Sequence, residues 1–157
     1  MTQFEIESVK DFMSQLLIGN ILDAFYVREV NLTTFNTFTI DGHIQKDFFT
    51  TEEWETAGKP VYSTWEQLKP ICYQLIKGKK TPLNFRIIFA ASAKMITQCL
   101  EKSQANLTLE NINGLFLHIT YEHGKILCTT GISLDIFTMD KTLEHYWDDS
   151  VKKYLNI

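Results

Sequence analysis

The chain has 157 residues, of which 45% are hydrophobic, 22% charged and 13% aromatic, with only seven glycines and three prolines. This composition excludes a disordered tail, a collagen-like repeat and a low-complexity linker, and a chain of this length buries enough surface to fold without disulfides or metal. The formal charge of −4 excludes general nucleic-acid binding by the molecule as a whole.

Val9, Phe12, Met13, Leu16 and Leu17 recur at helical spacing and Gly19 stops the run, which predicts an amphipathic helix over 6–18. Residues 24–40 are dominated by β-branched and aromatic side chains and read as strand. Asp41-Gly42 comes next, ahead of His43-Ile44-Gln45, and predicts a type I′ hairpin turn with Gly42 at positive φ. Thr51-Glu-Glu-Trp54 opens one helical turn. Ser63 and Glu66 have capping-box spacing for a helix carrying Trp65, Leu68, Cys72, Leu75 and Ile76 on one face. Pro70 should kink or split that helix, and Gly78 should close it. Phe85, Ile87 and Phe89 then alternate with Asn84, Arg86 and Ile88, a strand with one buried face.

Ser92 caps a helix with Met95, Ile96, Cys99 and Leu100, and residues 103–113 form a polar connection. Strands over 115–121 and 126–137 meet at His123-Gly124, with Gly131 marking a bulge or bend. Asp140 caps a final helix with Leu143, Trp147, Val151, Tyr154 and Leu155 on one face and Lys152 and Lys153 in its last turns. The succession implies one α+β domain over 1–157: an antiparallel-rich, or mixed, sheet with four or five helices packed on it.

Charge is unevenly spread. Residues 1–60 hold ten acids and four bases, residues 61–102 two acids and seven bases, and residues 103–157 seven acids and four bases. The middle third is a basic insert between acidic flanks. Lys77, Lys79, Lys80 and Arg86 are its candidate anion-binding group: three lysines leave a helix at Gly78, and Arg86 sits on the polar side of the next strand. The alternative is that acids from the flanks neutralise them. Four phosphate contacts on a duplex would give a log–log salt slope near about −3.6, although a nucleic acid is not the favoured partner. Lys77-Gly-Lys-Lys80 is not a phosphate loop, because Tyr73 occupies the position of the required first glycine.

The alternative polar site is His118, His145 and Asp149, the histidines meeting only through tertiary packing and His145 and Asp149 sharing a helix face. Asp148 and Asp149 read as a solvated acidic face. No ligand set has structural-metal spacing, so no metal and no cofactor are expected. Ser133, Cys128 and Thr130 lack a nucleophile elbow. Cys72, Cys99 and Cys128 are isolated in sequence, form no C-x-x-C, and read as reduced thiols of a cytoplasmic protein. The first residues lack signal-peptide character and no apolar run spans a bilayer, so no membrane role is expected. Phe4, Phe48, Phe49 and Trp54 have no clear periodic place and leave room for a homodimer through an aromatic surface.

Three stretches, residues 35–48, residues 68–83 and Cys128-Thr-Thr-Gly131 continued through residues 139–148, together resemble a family of small proteins from Gram-positive bacteria classed as a domain of unknown function. The resemblance implies a bacterial cytosolic protein and transfers no activity, ligand or catalytic residue. The residues themselves favour a non-catalytic binding or regulatory module with an unidentified protein or anionic partner. A small enzyme with a His/carboxylate site, or a self-associating protein, is the alternative.

Overall fold

The computed structural model describes all 157 residues. Its strands are β1 (Gln3–Glu5), β2 (Tyr26–Thr33), β3 (Thr37–Asp41), β4 (Asn84–Ala90), β5 (Ile112–Glu122) and β6 (Lys125–Leu134). They form one six-stranded sheet in the order β1-β6-β5-β4-β2-β3, every neighbouring pair antiparallel. The helices are α1 (Val9–Leu17), α2 (Thr51–Thr56), α3 (Trp65–Ile76), α4 (Ala93–Ser103) and α5 (Thr142–Tyr154). The α+β expectation therefore stands, with a sheet that is antiparallel throughout. Strand β1, three residues long, has no signal in the sequence.

Side-chain alternation divides the sheet into a dry face and an open one. Phe85, Ile87 and Phe89 of β4 and Leu115, Leu117 and Ile119 of β5 point to the dry face and are buried. Residues of α1, α3, α4 and α5 join them in a single core, whereas α2 buries none. Each large side chain fully withdrawn from water there contributes about 1.5–3 kcal/mol. Phe25 is the aromatic centre, with ring centroids 6.1 Å from Phe89, 6.2 Å from Trp147 and 5.2 Å from Tyr154. Both buried indoles find acceptors: Trp65 Nε1 donates to the Leu16 carbonyl at 2.8 Å and Trp147 Nε1 to that of Phe116 at 2.9 Å. These bonds let large amphipathic rings sit in the core without an orphaned donor.

Asp148 is also part of this interior rather than a solvated face. It is buried and accepts hydroxyl hydrogen bonds from Thr130 at 2.5 Å and Thr2 at 2.8 Å. The Thr2 N–H donates to Thr130 Oγ1, so one carboxylate ties the residue preceding β1 to β6 and α5.

Several local expectations change. The β2–β3 hairpin turns at residues 34–36, and Asp41 ends β3 instead of opening a turn. Gly42 is absent from the positive-φ residues. Its N–H donates to the Arg28 carbonyl at 3.0 Å and its carbonyl accepts from the Ser63 N–H at 2.9 Å. A Cβ at this position would lie 1.7 Å from the Val27 carbonyl oxygen. Glycine is needed here for close backbone approach, a requirement the Asp-Gly dipeptide does not distinguish from a turn. The left-handed pair is instead His123 (φ 52) and Gly124 (φ 76), joining β5 to β6.

The capping box of α3 is formed by Thr64 and Gln67, not Ser63 and Glu66: Thr64 N–H donates to Gln67 Oε1 at 2.9 Å and Gln67 N–H to Thr64 Oγ1 at 3.4 Å. Ser63 has its backbone engaged by Val27 and Gly42, one residue too early to start the helix. Pro70 does not split α3, which runs on to Ile76. Gly131 is no bulge; it sits in regular register opposite Phe116. The sheet's irregularities fall between Val27 and Glu29 and between Ile112 and Gly114.

Candidate functional site

The open face of the sheet carries the side chains that alternate with the core: Glu29 and Asn31 on β2, Arg86 and Ile88 on β4, Phe116, His118 and Thr120 on β5. Near its middle lies a shallow depression of about 520 Å³ lined by Arg28, Glu29, Asp41, Ile88, Phe116 and His118.

Arg28 is the irregular residue of β2. The register shift between Val27 and Glu29 leaves it opposite no residue of β4, and such a bulge re-aims its side chain. The guanidinium lies over two aromatic rings, 4.6 Å from the centroid of Tyr62 and 5.2 Å from that of Phe116. Tyr62 in turn meets His43 edge-on at 5.4 Å, and the two residues bridge as an antiparallel pair. On the other side, the Phe116 ring lies over Gly114, where a Cβ would come within 2.4 Å of Phe116 Cζ. Gly131 stands directly opposite Phe116 and adds no side chain there. A column of His43, Tyr62, Arg28 and Phe116 thus crosses the open face, seated on a glycine.

A guanidinium seated over aromatic rings is restrained by them while its N–H groups remain free to hydrogen-bond. Arg28 is exposed and forms no ion pair, although Glu29 is its chain neighbour. Glu29 instead pairs with Arg86 at 3.1 Å. Asp41, opposite Glu29 in register, accepts the His43 N–H at 2.9 Å and also forms no ion pair. Partial burial pushes the His118 imidazole below its usual range, and the charge of Arg86 adds to the effect. Below its ordinary value the ring is neutral at neutral pH, available as a donor or acceptor rather than as a cation.

Of the two residue groups expected from sequence, that of His118, His145 and Asp149 is divided between the two sides of the sheet. Lys77 follows α3, and Lys79 and Lys80 lie on the exposed turn after Gly78. None of these three lysines forms an ion pair. Arg86 sits within the sheet and is neutralised by Glu29 from the acidic flank. His118 belongs to the open face. His145 and Asp149 are exposed on α5, which packs through Leu143, Trp147 and Val151 against the opposite, dry face. The sheet separates His118 from His145 and Asp149. No group of three His, Cys, Asp or Glu residues is placed to hold a metal ion.

Arg28, Tyr62 and Phe116 carry no sequence spacing that links them. Their meeting depends on the β2 bulge, on the crossing at Gly42 and on a glycine two residues from Phe116 on the same strand face.

The architecture defines a class: a one-sided α+β sheet with an open polar face and a shallow site. Residues 15–157 match the profile of DUF5721, a family of unknown function, and the chain belongs to that family. No curated protein and no solved structure matches it. No helix is long and apolar enough to cross a membrane.

Proposed function

We propose that this chain is a non-catalytic binding module whose open sheet face engages an anionic partner, anchored by Arg28. The observation that carries this reading is an exposed guanidinium seated over the rings of Tyr62 and Phe116 with no carboxylate partner of its own. Fixing the group beforehand removes part of the ordering cost of binding. The open shape of the depression, and the separation of His118 from His145 and Asp149, favour recognition over catalysis. The free, buried cysteines suit a reducing compartment, in line with the bacterial cytoplasm that the sequence resemblance implies.

A second reading rests on the turn lysines. Lys77, Lys79 and Lys80 stay unneutralised and suit a polyanion; with Arg86 engaged by Glu29, the salt slope expected on a duplex falls to about −2.7. Titration of the ¹⁵N-labelled protein with inorganic phosphate, acetate and polyglutamate separates the two. The expected result is saturable shifts around Arg28 and Phe116 that Arg28→Ala abolishes and Lys79→Glu/Lys80→Glu preserves. The reverse pattern moves the site to the basic turn, and no saturable shift with any of these anions overturns both readings.

A further inference from the structure

The depression contains opposite charges that do not neutralise each other. Arg28 is held in its aromatic column. Asp41 is held by the His43 N–H at 2.9 Å. Both line the same depression, and neither forms an ion pair. Their separation has a structural cause. The β2 bulge aims Arg28 towards Tyr62 and Phe116, while the chain turning at Gly42 fixes Asp41 on β3. Glu29 faces Asp41 across the β2–β3 pair, so two carboxylates stand side by side, with Arg86 on Glu29. Like charges directly opposite in a sheet are unfavourable; Arg86 neutralises Glu29, and Asp41 remains the carboxylate without a counter-charge at this end of the depression. Ile88 and Phe116 supply apolar surface in the same depression.

Resting on the reading that this face binds an anion, we propose that its ligand is a zwitterion of the amino-acid or short-peptide class. Its carboxylate meets Arg28, its ammonium group meets Asp41, and its carbon skeleton covers Ile88 and Phe116. A simple anion satisfies Arg28 and leaves Asp41 without a counter-charge. A simple cation satisfies Asp41 and leaves Arg28 without one. Only a molecule carrying both charges is complementary to the whole depression. Neutral His118 adds no net charge that would favour a plain anion.

The test is a ¹H–¹⁵N titration of the intact chain with zwitterions of increasing charge spacing: glycine, β-alanine, 4-aminobutanoate and 6-aminohexanoate. Each is compared with its N-acetyl form, which keeps only the carboxylate, and its amide, which keeps only the ammonium group. At least one zwitterion should shift the amides of Arg28, Asp41, Gly42 and Phe116 saturably, about tenfold or more tighter than either single-charge analogue. Arg28→Gln and Asp41→Asn should each reduce it to the level of the analogue lacking the corresponding charge. If the N-acetyl compounds bind this face as well as the zwitterions, the zwitterion proposal fails and the anion reading stands. If neither zwitterions nor anions shift these residues, or only the amides do, both fail.

Discussion

Each of the three thiols is buried, and burial pushes Cys72 up to about 11 and Cys128 to about 12. Cys99 is also raised by burial, against smaller opposing effects of Ser150 and Lys102. A raised thiol keeps its proton in the folded chain after the unfolded chain has lost it. Above the ordinary value of 9.0 the unfolded state therefore binds fewer protons, and stability falls as pH rises. The stabilisation is fully present below that value and drains away towards the folded values of Cys72 and Cys128. Tyr154, raised mainly by burial, adds a loss of the same sign. Urea melts should show stability constant from about pH 7 to 8 and declining above about pH 9, each buried thiol contributing a slope of up to about 1.4 kcal/mol per pH unit. A disulfide-exchange reagent at about pH 8 should leave all three thiols unmodified until the chain unfolds. Rapid native labelling, or flat stability up to about pH 10.5, would contradict this account.

Two glycines act at the level of strands. At Gly42 a side chain would strike the Val27 carbonyl oxygen, a backbone atom that cannot swing aside. Gly42→Val should cost about 2–4 kcal/mol, seen as a fall in melting temperature of roughly 5 °C or more. An unaltered melting temperature would mean the chain does not cross β2 there. At Gly114 the obstructing atom is Cζ of Phe116, the tip of a side chain able to rotate. Gly114→Ala should leave the fold within about 1 kcal/mol of the parent yet turn the Phe116 ring away from Arg28 and weaken anion binding. Unchanged binding in this variant would show that the ring does not hold the guanidinium.

The contrast shows what periodicity can reveal. Helices α3, α4 and α5 and strands β4 to β6 repeat apolar residues over enough length to be read directly, and Ser92 caps α4 where expected, accepting the Met95 N–H. Strand β1, the crossing at Gly42 and the Arg28 column are fixed by contacts between residues distant in sequence, with no repeat to announce them. Asp-Gly alone does not distinguish a glycine needed for positive φ from one needed for close approach, and Gly42 is the second kind.

At the scale of the molecule, composition and charge were informative in outline only. The basic third is visible in the sequence, whereas the pairing of Arg86 with Glu29 and the unpaired state of the turn lysines depend on tertiary contacts that leave no local signal. The order of strands has a further consequence, for synthesis. After β2, each strand joins the sheet in the order in which it is made: β3 on one edge of β2, β4 on the other, then β5 and β6 outward. A nascent chain can extend the sheet as it leaves the ribosome. Strand β1 alone is out of sequence, since Phe4 pairs opposite Cys128. At roughly 5–20 residues per second, β1 waits on the order of 6–25 s for its neighbour to be translated. Until then it has no strand to join, and its arrival marks the moment at which the growing edge of the sheet is closed.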